Sequence, residues 1–245
     1  MREPKCILAL ETSGPQCSVA LSVPTSGEVV QRIAQGVNDH SARLTLLIEE
    51  CMQAAGLAYD SLDAVAVSNG PGSYTGLRIG LATAKGLCFA LGLPLIPLGT
   101  LQVLAAGIRA RVQDAVAPGD VFVPLMDARR MEVYIQAFDA DLQPLLPAQP
   151  AILPEQLPVL TPEGALYVAG SGLPKALPFL KGRWVPVDDV VPSAEHVLAL
   201  AMRNVDASQQ TDMAYVEPYY LKEFQSTAPR SVPGLPDMPP ATADR

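Results

Sequence analysis

Residues Ser68 to Thr83 read Ser-Asn-Gly-Pro-Gly-Ser-Tyr-Thr-Gly-Leu-Arg-Ile-Gly-Leu-Ala-Thr. They place a glycine-rich turn directly after an apolar strand, Ala64 to Val67, and directly before a helix with almost no water-facing side. Ser73 is the expected N-cap of that helix. Between Tyr74 and Leu91 the only charges are Arg78 and Lys85, seven residues apart and therefore on nearly the same face. A helix apolar around the rest of its circumference is expected to be covered on more than one side. Gly76, Gly80 and Ala84 fall four apart and make a stripe that another backbone could approach closely, although glycine costs about 1 kcal/mol in a helix interior. The turn suggests a ligand; the helix suggests either the centre of a large core or another protein.

The length, 245 residues, is enough to bury a sizeable core, in one bilobal unit or two small domains. The net charge is -8, and no run of Lys and Arg is interleaved with aromatic residues. An independent grip on nucleic acid or on an anionic membrane is therefore not expected. From Ala64 to Gln113 the balance is reversed locally: Arg78, Lys85, Arg109 and Arg111 fall in a stretch without Asp or Glu. Cys6, Cys17, Cys51 and Cys88 show no Cys-x-x-Cys spacing and read as free thiols of a reducing compartment. A hairpin turning near Gly14 and Pro15 would set Cys17 opposite Glu11 and away from Cys6. Gly86 to Leu98 is too short and too broken by Gly92, Pro94 and Pro97 to cross a bilayer, which takes about 20 apolar residues. Met1 to Lys5 lacks a signal-peptide core. A cytoplasmic protein without a membrane partner is expected.

Cys6 to Leu10, Ser18 to Val23 and Glu28 to Ile33 read as a three-stranded meander. A helix is expected from Ser41 to Ala55, ending at Gly56. On its wheel Leu44, Leu47, Ile48, Cys51, Met52, Ala54 and Ala55 cover about 160°, wider than the ~100° stripe of a single core contact, and Leu46 lies outside even that arc. The strand at Ala64, the Gly-turn helix, a strand at Pro94 to Leu98 and a helix at Leu101 to Arg111 follow. A second unit begins near Gly119, with strands at Val121 to Met126 and Val133 to Phe138 flanking Asp127-Ala-Arg-Arg130, a strand at Leu166 to Ala169 leading into Gly170-Ser-Gly172, and a helix at Ser193 to Arg203. It echoes the opening of the chain. The expected class is α/β with mixed sheets flanked by helices, divided into lobes at 1–110 and 111–225. Prolines, 24 in all against about 5% in average proteins, crowd between Pro144 and Pro192, so helices there should be short. Residues 226–245, with five prolines and no periodicity, are expected to be a disordered tail.

Most familiar chemistries fail on spacing. The Gly70, Gly72, Gly76 set misses a dinucleotide fingerprint because its third glycine is one residue late and no acid follows to hold a ribose. No Gly-Lys-Ser or Gly-Lys-Thr closes a P-loop. His40 and His196 have no ligand at metal spacing on the same face, and no Gly-x-Ser-x-Gly elbow offers a nucleophile. No catalytic residue, metal or cofactor is expected. Backbone amides at the start of the Gly-turn helix could hold an anion, and Asp127 with Arg129 and Arg130 could orient a phosphate, although a solvated salt bridge is the ordinary reading of such a turn.

Ile7-Leu-Ala-Leu-Glu11-Thr12-Ser13, His40-Ser-Ala-Arg-Leu44, the block from Ser68 through Gly80 with Ala84-Lys-Gly-Leu87, Asp127-Ala-Arg-Arg130 and Glu217-Pro-Tyr-Tyr-Leu-Lys222 together resemble the TsaB (YeaZ) family. The likeness runs over about residues 5–224, and the Gly-Pro-Gly-Ser-Tyr-Thr-Gly-Leu-Arg block is its most specific part. It implies the two-lobed, actin-like and Hsp70-like ATPase fold and a part in making threonylcarbamoyladenosine beside the tRNA anticodon. The implied partner is the catalytic paralogue TsaD, with the ATPase TsaE in a ternary complex and tRNA met indirectly. In TsaD a His-x-x-x-His pair binds the catalytic metal; the matching place here reads Thr100-Leu-Gln-Val-Leu104, which lacks both ligands. The paralogue's Asp-Asn-Ala-Ala stretch is also missing near the C-terminal end. The resemblance therefore implies a non-catalytic accessory subunit. Its implied partner interface comprises His40, Leu44, Leu47, Ile48, Cys51, Tyr74, Thr75, Gly76, Arg78, Ile79, Gly80 and Thr83, through which it would also self-associate. The competing expectation is an ATP-dependent, kinase-like enzyme of the same superfamily. The vestigial nucleotide site would draw on Glu11, Thr12, Ser13, Asp127, Gly170 and Gly172.

Overall fold

Two five-stranded sheets share one topology. A computed structural model describes residues 5–34, 40–158, 160, 163–180, 182–204 and 212–222. In the first sheet β1 (Ile7–Glu11), β2 (Cys17–Ser22) and β3 (Val29–Ala34) form an antiparallel meander, while β4 (Ala64–Ser68) and β5 (Leu95–Leu98) add in parallel on the other side of β1, in the order β3-β2-β1-β4-β5. The second sheet repeats this with β6 (Val121–Asp127), β7 (Glu132–Phe138), β8 (Pro144–Ile152), β9 (Leu166–Ala169) and β10 (Trp184–Pro186), in the order β10-β9-β6-β7-β8. The echo read in the sequence is thus a duplicated fold, and the β6–β7 turn at Asp127 to Arg130 is the counterpart of the β1–β2 turn.

β1 and β4 are buried along their whole length, as continuous apolar strands covered on both faces must be. One face carries α1 (His40–Ala55) and α2 (Tyr74–Leu91), whose inner side chains join Leu8, Leu10, Val19, Leu21, Val65 and Val67 in one core. The other face packs on α3 (Thr100–Arg111) and α5 (Ala194–Asn204), which lie between the two sheets and complete a second core with Ile7, Ala9, Ala66, Phe122 and Tyr167. The short α4 (Leu173–Ala176) covers the outer face of the second sheet.

One expectation needs correction, the register of the β1–β2 hairpin. Glu11 stands opposite Ser18, one position away from the expected pairing with Cys17, because the β1–β2 connection is longer by a residue than a Glu11–Cys17 register requires. β8 and β10 were not expected. β8 carries Pro144, Pro147 and Pro150, which cannot donate to a ladder, and tolerates them because it is an edge strand paired on one side with β7. α5 returns to the first sheet, where the Ala194 amide donates to the buried Ser18 hydroxyl at 2.9 Å. Residues 212–222 also return, running beside α2 with Met213 and Val216 packed against the first core. All four cysteines are free and buried. The expectation for residues 226–245 lies outside the described residues.

Candidate functional site

The β1–β2 loop, the cleft between the lobes and the outward face of α1 and α2 adjoin one another at the N-terminal end of α2. Ser73 caps that helix, its hydroxyl accepting the Gly76 amide at 3.2 Å, and Gly92 ends it in the left-handed conformation.

The loop is tied down from within. Thr12 donates its hydroxyl to the Gly76 carbonyl at 2.8 Å, the Ser13 amide and hydroxyl donate to Glu11 Oε1 at 2.6 and 2.5 Å, and the Ser13 carbonyl accepts the Ser73 amide at 2.8 Å. Glycine is required where α2 presses on this loop: a methyl at Gly80 would collide with the Thr12 hydroxyl, and one at Gly72 would stand 2.6 Å from the Ser13 carbonyl oxygen. Glu11 is wholly buried, and burial pushes its carboxyl above the usual glutamate range against the opposing bonds from Ser13. Its second oxygen, Oε2, has no hydrogen-bond partner among the described residues.

A cleft of about 1510 Å³ opens between the lobes. Ser13, Asp127 and Gly170 line it, together with Ser73, Arg129, Arg130, Tyr134, Asp188, Asp189, Tyr220 and Lys222; Glu11, Thr12 and Gly172 do not. Asp127 pairs with Lys175 at 2.7 Å and accepts the Arg129 amide at 2.6 Å. Partial burial works the other way, yet the Lys175 bond, the Arg129 amide and the Lys175 charge together hold its carboxyl below the usual range. Arg129 and Arg130 both take positive φ, 65° and 48°, where type I′ turns usually place Asn and Gly. Each non-glycine residue held there costs on the order of 1 kcal/mol. Gly170, at φ 108°, closes against the Leu125 carbonyl, and Gly172 packs under β6 and β7. Thr100 and Leu104 are both buried, and Leu104 lines the cleft.

The outward face differs from the expected one. Leu44, Leu47, Ile48 and Cys51 lie within the chain's own core and are at most 6% exposed, so α1 turns Arg43, Thr45, Leu46, Glu49, Glu50 and Gln53 to solvent. Gly76 and Gly80 are buried likewise; the close approach that Gly80 permits is to Thr12, which also bonds the Gly76 carbonyl. Tyr74, Thr75 and Arg78 are exposed; Ile79 and Thr83 are half-buried. His40 is the first residue of α1, and its side chain is not among those described.

Sequence reasoning missed the stripe that α2 does present. Thr75, Ala82, Gly86, Phe89 and Ala90 are exposed on one side of the helix, with open space around Gly86 and Phe89 83% exposed. Phe89 was findable, since on the wheel it falls opposite Leu77, Gly80 and Ala84. Also missed was the C-terminal segment beside this face. The Tyr219 amide donates to the Asn69 carbonyl at 2.6 Å, Tyr220 stacks on Tyr74 at 5.2 Å, and Lys222 pairs with Glu132 of β7. No helix among the described residues is long and apolar enough to cross a membrane.

Residues 23–146 match the family described as TsaD: tRNA N6-adenosine threonylcarbamoyltransferase. Over whole chains the likeness is to proteins named tRNA threonylcarbamoyladenosine biosynthesis protein TsaB. That of Haemophilus influenzae is 30% identical over 229 residues, 88% of this chain and 93% of that protein. That of Escherichia coli is 28% identical over 244 residues, 93% and 98% respectively. A shorter likeness, 53% over 70 residues, joins 29% of this chain to 20% of the tRNA N6-adenosine threonylcarbamoyltransferase of Geobacillus kaustophilus. The solved structure of YeaZ from Pseudomonas aeruginosa, 29% identical, superposes with a TM-score of 0.75 over 89% of this chain and 100% of that one. The two mixed sheets flanked by helices form the two-lobed α/β fold expected, and this fold is shared with YeaZ. Sustained over nearly the full length of its relatives and carried by the same fold, this similarity shows that the chain belongs to the TsaB (YeaZ) family of tRNA threonylcarbamoyladenosine biosynthesis proteins.

Proposed function

We propose that this chain is a non-catalytic accessory subunit that docks a TsaD-type paralogue through the outward faces of α1 and α2. It thereby supports transfer of threonylcarbamoyl to tRNA adenosine beside the anticodon. The observation that carries this reading is the solvent-facing stripe of α2, where Ala82, Gly86 and Ala90 leave room for another helix beside the exposed Phe89 and the α1 residue Leu46, itself 49% exposed. Apolar surface of this kind, rimmed by Glu49, Glu50 and Arg78, fits a protein interface. The match of residues 23–146 to the TsaD family spans both helices, so a paralogue carries an equivalent pair and the two can meet face to face. Self-association uses the same stripe when the paralogue is absent. TsaE and tRNA join through the assembled complex.

The ATP-dependent alternative has the cleft in its favour. Against it, the Thr12 and Ser13 hydroxyls of the counterpart phosphate loop are engaged inside the protein, Glu11 is buried beneath them, and Asp127 is tied to Lys175. Phosphoryl transfer needs a carboxylate-held magnesium and a base facing the substrate. Co-purification of the full chain with the TsaD-type protein of the same organism tests the docking reading: wild type should form a stable pair and Ala82→Glu should not, while remaining folded. Calorimetry with ATP and magnesium on the isolated chain tests the alternative, and no heat of binding is expected.

A further inference from the structure

Arg78 sits on the exposed side of α2, one turn before Ala82, and its guanidinium is already held in place. Its Cζ lies 4.2 Å from the centre of the Tyr74 ring, its Nε donates to the Tyr220 hydroxyl at 3.2 Å, and the two tyrosines stack at 5.2 Å. An exposed arginine ordinarily loses rotamer freedom when it is recruited by a partner; here two aromatic rings distant in sequence, Tyr74 and Tyr220, have removed most of that freedom beforehand. Tyr220 engages Nε alone. Among the described residues no carboxylate pairs with Arg78, and the sequence around it holds no acid from Ala64 to Gln113. On an exposed residue, a guanidinium set over one ring and tied to another through Nε keeps its two terminal nitrogens for a two-pronged bond to a carboxylate.

We propose that Arg78 is a carboxylate clamp for the docking partner: its outward nitrogens take an Asp or Glu side chain of the TsaD-type subunit, and Tyr74 and Tyr220 hold the clamp in register. The inference rests on the docking reading above and adds to it a specificity determinant. The surface of this chain is acidic overall, at net charge -8, and α1 presents Glu49 and Glu50 beside α2. A cation fixed beside the α2 stripe therefore selects an acid on the opposing face and sets the direction in which the two helix pairs meet.

The test is binding of the full chain to the TsaD-type paralogue of the same organism, by biolayer interferometry at low and high salt, with circular dichroism of each variant as the folding control. Arg78→Ala should weaken binding about 10- to 100-fold and remove most of its salt dependence. Arg78→Lys, which keeps the charge and loses the fork, should recover only part of that loss, and Tyr220→Phe should weaken binding about threefold by freeing Nε. Wild-type affinity and salt dependence in Arg78→Ala, while Ala82→Glu abolishes binding, would overturn the clamp and leave the docking face standing. Unchanged binding in both Arg78→Ala and Ala82→Glu would overturn the docking face itself. Binary binding that is unchanged in Arg78→Ala, with loss confined to recruitment of tRNA, would assign the guanidinium to a phosphate and also overturn the proposal.

Discussion

Thr12 and Gly76, 64 residues apart, are joined by a 2.8 Å hydrogen bond from the threonine hydroxyl to the glycine carbonyl, and this bond locks the β1–β2 loop to the first turn of α2. Both residues are buried. The loop also explains why the helix tolerates glycine at 80: Thr12 occupies the space that a side chain there would need.

Thr12→Val, nearly the same shape without the hydroxyl, should therefore destabilise the fold by about 1 kcal/mol by removing this buried bond, while the Gly76 carbonyl keeps its helical partner. Gly80→Ala should also destabilise, by about 1–3 kcal/mol, although alanine is the better helix former, because its methyl meets the Thr12 hydroxyl. Urea unfolding of each variant measures both. The combination Thr12→Val with Gly80→Ala should cost less or more than the sum, since the two positions touch.

Burial of Glu11 makes stability depend on pH. Its carboxyl titrates in the folded chain above the ordinary value of about 4.3, so between that value and the folded one the folded state holds a proton that the unfolded state has released. Stability from this group is accordingly lost as pH rises through the window. Glu11→Gln should remove that slope and raise Tm by a few degrees at neutral pH, read by thermal melts from pH 4 to pH 8.

Core and surface sides of α1 should separate cleanly. Leu44, fully buried, should lose about 2–5 kcal/mol of stability on Leu44→Ala. Leu46, 49% exposed on the same helix, should change stability by less than about 0.5 kcal/mol on Leu46→Ser and yet weaken the partner complex. Denaturation and pull-down on the two variants make the comparison.

The Lys222–Glu132 pair joins the C-terminal segment to the second lobe but is partly exposed, with side chains 36% and 19% accessible. Lys222→Ala should cost at most about 1 kcal/mol. A larger loss in the chemical unfolding midpoint would mean that the segment braces the lobes through this pair more than through Met213 and Val216 in the first core.

The elements whose pattern is local were legible in the residues. Alternation and Gly56 set α1 and its neighbours, Ser73 set the start of α2, and the apolar run at Ala64 set β4. β8 was hidden because Pro144, Pro147 and Pro150 contradict strand propensity and are acceptable only at an edge, which depends on the whole sheet. The face of α2 was read inside out for a similar reason. Gly76, Gly80 and Ala84 on one side, and Ala82, Gly86 and Ala90 on another, are both small stripes; what distinguishes them is Thr12, distant in sequence. The wide apolar arc of α1 likewise suggested two partners, whereas one sheet and α2 absorb Leu44, Leu47, Ile48, Cys51 and Met52. The segment 212–222 has no periodicity, and its placement comes from scattered contacts of Tyr219, Tyr220 and Lys222.

The most direct measurement is formation of threonylcarbamoyladenosine on tRNA by purified components: this chain alone, the TsaD-type paralogue with the remaining pathway proteins, and the two together, each with wild type and Ala82→Glu. The account predicts no product from this chain alone, product when wild type is added to the paralogue, and loss of that stimulation with Ala82→Glu. Product made by this chain without the paralogue, or full stimulation by a folded Ala82→Glu variant, would contradict it.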